Sequence, residues 1–153
     1  VIGLLQRVTH AEVVVDDERI AAIGRGLMVL VGVERGDARA QAARLADRLL
    51  EYRVFPDAEG KMNLSLADVD GGLLLVPQFT LPADTSKGRR PSLSRAAPPE
   101  EGERLFDILV GLARSKHGRV QCGRFGAHMA VTLTNDGPVT FTLRVPPEEA
   151  ASR

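Results

Sequence analysis

The sequence predicts a mixed α/β fold, with two helices packed on a sheet. Three observations carry that expectation. Two segments bear a helical apolar stripe, two short apolar runs read as strands covered on both faces, and further strand segments lie at both ends of the chain. At the N-terminal end, residues 2–8 (IGLLQRV), 11–16 (AEVVVD) and 19–23 (RIAAI) read as strands, with Asp16, Asp17 and Glu18 at a turn. Residues 26–33 (GLMVLVGV) and 73–76 (LLLV) are the continuous runs, as in strands with no solvent face. The spaced glycines of the first run read as strand-end turns. The first helix spans residues 37–52, where Ala42, Leu45, Ala46, Leu49 and Leu50 follow the i, i+3, i+4, i+7, i+8 spacing and Asp37 stands where an N-cap belongs. The second spans residues 98–118, with Leu105, Ile108, Leu109, Leu112 and Ala113 in the same spacing. Pro98 and Pro99 open it, Glu100 and Glu101 suit its positive end, Arg114, Lys116 and His117 its negative end, and Gly118 stops it. Near the C-terminus two segments alternate. Met129, Val131 and Leu133 share one side of the first. In the second, Val139, Phe141, Leu143 and Val145 point inward, and Thr140, Thr142 and Arg144 outward. The NDGP between them reads as a tight hairpin connection. Residues 92–102 are expected to form a mobile loop, and the tail from Pro146 to fray.

The totals narrow the function classes. A chain of 153 residues is expected to form one domain, 1–153, and needs no disulfide or metal to bury a core. Its single cysteine, Cys122, rules out an intrachain disulfide framework and fits a reducing, cytosolic compartment. No apolar run approaches the ~20 residues of a membrane span, and no leader pattern is visible. Lysine plus arginine balance aspartate plus glutamate at 20 each, so nucleic-acid contact must be local rather than global. Lys87, Arg89, Arg90 and Arg95 cluster with no carboxylate between the first and the last. That cluster reads either as a solvated surface loop or as a hold on phosphates.

Metal chemistry has no support. His10, His117 and His128 lie far apart, share no ligand spacing, and read as solvent-facing or helix-end residues. Cys122 lacks a Cys-His signature and reads as an inert buried thiol rather than a nucleophile. No nucleophile elbow, P-loop or dinucleotide fingerprint is present. Two short stretches remain, PQFTL (77–81) and NDGPVT (135–140). From the residues alone the first is a strand ending at a bend, with Phe79 in the core and Thr80 capping a turn. The second is a hairpin. Neither names an enzyme by itself.

Together these stretches resemble the D-aminoacyl-tRNA deacylase family. The resemblance covers nearly the entire chain, from IGLLQRVTHAEVVVD through RVFPDAEGKMNLSL and PQFTLPADTSKGRRPS to NDGPVTFTL. The family signatures Ser-Gln-x-Thr and Asn-x-Gly-Pro-Val-Thr appear as Pro77-Gln78-Phe79-Thr80 and Asn135-Asp136-Gly137-Pro138-Val139-Thr140. Pro77 departs from the family serine and removes both a hydroxyl and a backbone N–H. The resemblance implies a largely antiparallel, barrel-like curved sheet with two main helices. It also implies a metal-free, cofactor-free cytoplasmic homodimer that cleaves a D-amino acid, or mischarged glycine, from the terminal ribose of tRNA. It further implies a cis Gly137-Pro138 bond inserted into the partner subunit's site and braced by Arg7.

On that basis Gln78, Phe79 and Thr80 are the expected catalytic residues, and Gly137, Pro138 and Arg7 those of chiral selection. An aminoacyl ester beside an ammonium is already activated. Backbone N–H groups near Phe79 and Thr80 then suffice to stabilise the oxyanion, with the ribose 2′-OH assisting water. Thr80 as nucleophile ranks second, because no base is visible to activate it. The carbonyls of Gly137 and Pro138 are expected to capture the α-ammonium and crowd an L side chain. Lys87, Arg89 and Arg90 are expected to hold the acceptor end. Phe79 either stacks on the terminal adenine or belongs to the core. The rival readings are an RNA-binding module without catalysis, a small-molecule esterase or amidase, and an inactive structural dimer.

Overall fold

The computed structural model describes residues 1–148. Strand β1 (Ile2–Val15) is the backbone of the sheet. It pairs antiparallel with β2 (Glu18–Ile23), with β3 (Gly26–Gly32) and with the last strand, β8 (Ala130–Arg144). The two N-terminal strands expected before the turn are therefore one. Polar Thr9 and His10 do not interrupt it, because β8 continues alongside, with His10 opposite Thr134. The turn into β2 is as expected: Asp16 and Asp17 both take positive φ, 49° and 62°, the conformation a tight hairpin needs. β3 pairs in parallel with β6 (Gly72–Pro77), and β6 with β7 (Val120–Cys122). The order is β2-β1-β3-β6-β7, with β8 on β1. The sheet curls until its ends nearly meet: Gln121 Oε1 on β7 accepts the Ala22 N–H of β2 at 2.7 Å. The result is the largely antiparallel, barrel-like sheet expected. A separate ribbon joins β4 (Phe55–Pro56) to β5 (Met62–Leu64).

Curling gives every central strand two covered faces, which is why β3 and β6 are apolar without alternation. Leu27, Val29, Val31, Leu73 and Leu75 pack outward against the helices. Met28, Leu74 and Val76 pack into the barrel with Val8, Val13 and Ala21. The helices are α1 (Arg39–Glu51) and α3 (Pro99–Lys116), plus a four-residue α2 (Leu66–Val69) that was not expected. Its signal was present: Ser65 and Asp68 form a reciprocal capping box. In α3 the buried stripe is rotated toward Phe106 and Val110, so Ile108 and Leu112 sit at its margin. His117 caps α3 but is buried rather than solvent-facing, donating Nε2–H to the Gly71 carbonyl at 2.6 Å. Cys122, at the end of β7, is partly exposed rather than buried.

Two further expectations are corrected. Ala38, not Asp37, occupies the N-cap of α1, and Gln41 Oε1 accepts its N–H at 2.8 Å. Asp37 instead is buried, accepting the Glu34 N–H and pairing with the Val1 amino group at 2.7 Å. Burial raises its carboxyl above the usual range despite those partners. The second correction is larger. NDGP is no hairpin: β8 runs through it as one strand paired to β1 from Ala130 to Arg144. Gln6 faces Thr140 and His10 faces Thr134, so β8 uses six steps where β1 uses four, and the excess bulges out around Gly137. β8 also buries less than its alternation suggests. Leu143 and Val145 are buried, whereas Phe141 is exposed and meets Tyr52 edge-on at 6.1 Å. The expected fraying of the tail falls, for residues 149–153, outside the described residues.

Candidate active site

β6 ends where the apolar run meets Pro77. On the β3 side the ladder continues one step further, with Gln78 N–H donating to Val31 C=O at 2.8 Å. Alternate residues of a strand face alternate neighbours, so the Pro77 nitrogen faces β7. The last bond on that edge is Gly123 N–H to Leu75 C=O, and the missing N–H of Pro77 closes the ladder there. The chain then turns, with Leu81 N–H to Gln78 C=O at 3.1 Å and Ala83 N–H to Thr80 C=O at 3.0 Å. Gly32 permits this turn to lie against β3. A Cβ at Gly32 would fall 2.8 Å from both Leu81 Cβ and Pro82 Cδ. Gly32 is thus a point of close approach rather than a strand-end turn.

The turn presents three things to solvent. Phe79 is 61% exposed, so it is not a core residue. Gln78 Nε2 donates to Thr80 Oγ1 at 2.6 Å, and in either orientation an amide is no base for that hydroxyl. The N–H groups of Phe79 and Thr80 have no acceptor among the described residues. Beside Gln78 and Phe79 opens a cavity of about 610 Å³, walled by Val31 of β3, Val33 just past it, Phe106 of α3, Phe125 and Met129, with Phe79 and exposed Leu93 at its mouth. Apart from Phe79, these walls went unrecognised as site residues. They converge from four separate segments, and nothing local marks them.

Residues 92–98 are tied down rather than free. Arg35 N–H bonds Arg95 C=O, Ala97 N–H bonds Val33 C=O, and Glu34 bridges Ala96. Asp84 and Ser92 exchange both backbone bonds, at 2.8 and 2.9 Å, so the segment between them projects as a loop. Hydrogen bonds from Ser86, with Arg95 adding charge, hold the Asp84 carboxyl below its usual range. Arg95 pairs with Asp84 at 3.6 Å. Lys87, Arg89 and Arg90 are exposed, and among the described residues no carboxylate lies within ion-pair distance of them. None of the three lines the cavity.

The other motif lies on the bulge of β8. The Gly137-Pro138 bond is cis and Gly137 has φ +138°, a value that favours glycine. Arg7 reaches it from β1. Its Nε donates to the Asp136 carbonyl at 3.1 Å and pairs with that carboxylate at 3.3 Å, while Nη1 donates to Val54 C=O at 2.7 Å. Asn135 spans the bulge: its Oδ1 accepts the Val139 N–H at 2.9 Å and its Nδ2 donates to Thr140 Oγ1 at 2.8 Å. Within one chain the two motifs do not meet. Arg7 is level with Leu27 on β3 and Pro77 with Val31, four residues or about 13 Å of strand rise further along. No residue of the bulge lines the cavity.

Among the described residues no group of three or more His, Cys, Asp or Glu is placed to hold a metal, and no helix is long and apolar enough to cross a membrane. Comparison with known proteins places the chain. The family described as D-Tyr-tRNA(Tyr) deacylase matches residues 4–144. A D-aminoacyl-tRNA deacylase of Nitrosococcus oceani is 63% identical over 146 residues, 95% of this chain and 94% of that protein. Another, of Methylococcus capsulatus, is 60% identical over 147 residues, 96% of each. Among solved structures, one described as c-Myc DNA Unwinding Element Binding Protein is similar with a TM-score of 0.91 and 37% identity, covering 95% of this chain and 99% of that one. A probable eukaryotic D-amino acid tRNA deacylase shares the fold, at a TM-score of 0.79 and 21% identity over 93% of this chain and 97% of that one. By motif, by fold and by relatives that match about 95% of it, this chain belongs to the D-Tyr-tRNA(Tyr) deacylase family.

Proposed function

We propose that the chain hydrolyses the ester joining a D-amino acid, or mischarged glycine, to the terminal ribose of tRNA, and rejects L-aminoacyl groups. The observation that carries this reading is the pair of unclaimed N–H groups on Phe79 and Thr80, at the edge of a cavity of about 610 Å³ that Gln78 and Phe79 line. The terminal adenosine enters the apolar cavity, with Phe79 available to stack on the base. Water, assisted by the ribose 2′-OH, attacks the ester carbon. The negative charge that develops on the carbonyl oxygen is met by the two N–H groups. The carbon–oxygen bond to ribose then breaks, the ribose oxygen takes a proton, and free amino acid and tRNA leave. No side-chain nucleophile is required, and Thr80, bonded to an amide, has no base to make it one.

Handedness falls to the carbonyls of Gly137 and Pro138, which take the α-ammonium and leave no room for an L side chain. Because one chain holds its two motifs apart, the site is completed by a second copy, whose bulge enters the cleft. The enzyme is thus a cytoplasmic homodimer, with Lys87, Arg89 and Arg90 holding the acceptor end.

The test is release of amino acid from D-Tyr-tRNA, Gly-tRNA and L-Tyr-tRNA in the presence of a chelator. Loss of the first two with the third intact is expected; equal loss of D and L, or loss of none, overturns the reading. The shared site has its own test. Gly137→Ala and Thr80→Pro, each inactive alone, should regain about a quarter of wild-type activity when mixed and reassociated, because half the dimers are mixed and each carries one intact site. No recovery would place both motifs of a site in one chain.

A further inference from the structure

Arg35 stands just past β3 and lines the cavity beside Phe79. Two bonds fix it to the opposite rim: its N–H donates to Arg95 C=O at 2.9 Å, and its Nε donates to Ser94 C=O at 2.8 Å. The two terminal nitrogens of its guanidinium have no acceptor among the described residues. The adjacent acid cannot neutralise it, because Glu34 is buried and held by Arg144 at 3.0 Å. A cation held at its stem with its fork open is suited to a tetrahedral oxyanion group, which it can meet with two parallel bonds. The three loop cations do not line this cavity, so the rim needs a phosphate contact of its own.

We propose that Arg35 binds the phosphate on the 5′ side of the terminal nucleoside. This rests on the deacylase reading: a nucleoside whose base fills the apolar cavity and whose ester lies at Gln78–Thr80 leaves its 5′ oxygen at the rim. The contact fixes the sugar and thereby the ester, while Lys87, Arg89 and Arg90 serve phosphates farther along the strand.

Three D-tyrosyl esters test it: of adenosine, of adenosine 5′-monophosphate, and of tRNA. Wild type is expected to prefer the monophosphate ester to the nucleoside ester by about tenfold, as befits a hydrogen-bonded charge contact. Arg35→Ala should abolish that preference and lower kcat/KM on tRNA and on the monophosphate ester about tenfold more than on the nucleoside ester, whose own loss reports only the cut tie to Ser94; Arg35→Lys should restore part of the preference. An equal loss on all three esters would mean that Arg35 only holds residues 94–95 in place, and would overturn the proposal. So would a wild type indifferent to the 5′-phosphate. If no ester is cleaved, the deacylase reading falls separately. Calorimetry of adenosine monophosphate against adenosine, with wild type and Arg35→Ala, then still decides the phosphate contact.

Discussion

The turn after β6 and the bulge on β8 are held in opposite ways. The turn hangs on main-chain bonds: Gln78 to Val31, Leu81 to Gln78, Ala83 to Thr80, with Gly32 leaving the space behind it. The bulge hangs on side chains. Arg7 grips Asp136 from β1, and Asn135 spans from Val139 to Thr140. A main-chain scaffold tolerates most substitutions of the residues that ride on it. A side-chain scaffold fails when one residue is cut. The difference predicts that the two motifs respond unequally to mutation.

The sharpest way to break this contrast is Arg7→Ala. It removes the grip on Asp136 and leaves the Val54 carbonyl without its donor, and charged bonds of this kind are worth about 1.5–3 kcal/mol each. Deacylation of D-Tyr-tRNA should fall by about 100-fold, since a displacement near 1 Å suffices for such a loss. Wild-type kcat/KM in a folded variant would show that the bulge stands without its brace. Gly32→Ala attacks the turn from behind and should lower kcat about tenfold by pushing Leu81 and Pro82 away from β3. An unaltered kcat would mean that the turn is not seated by that contact. Thr80→Val deletes the hydroxyl but keeps the N–H, so the loss should stay below about tenfold, whereas a loss of about 1,000-fold would make Thr80 the nucleophile. The smallest effect is expected of Arg89→Ala/Arg90→Ala. It should leave turnover at saturating tRNA unchanged and reduce the slope of log affinity against log salt by about two, measured by titration across salt concentrations. An unchanged slope would move the RNA contact away from this loop.

Much of this was readable in the residues, and what was not has a physical pattern. Strands β3 and β6 and the stripe of α1 follow from local periodicity, because burial on two faces or on one leaves a direct mark on the order of residues. The bulge was misread because Asn-Asp-Gly-Pro has the chemistry of a turn. Whether such a segment reverses the chain or only swells from it is decided by β1, more than a hundred residues away. Asp37 failed as a cap for the same reason: its partners, Glu34 and the amino group of Val1, are gathered by tertiary packing. Phe79 was left between core and platform, since composition does not distinguish an aromatic ring at a strand end from one inside it. Nothing in the order of residues singles out Arg35; only its bond to Ser94 and its place beside the cavity do.

The satisfied pair Gln78 and Thr80 has a pharmacological consequence. A fluorophosphonate or other electrophilic warhead depends on an activated oxygen or sulfur, and this turn supplies none. If the proposed mechanism holds, an inhibitor directed here competes reversibly, as a non-hydrolysable amide or phosphonate mimic of the aminoacyl nucleoside. Resistance to it would have to arise by reshaping the peptide framework rather than by exchanging one reactive group.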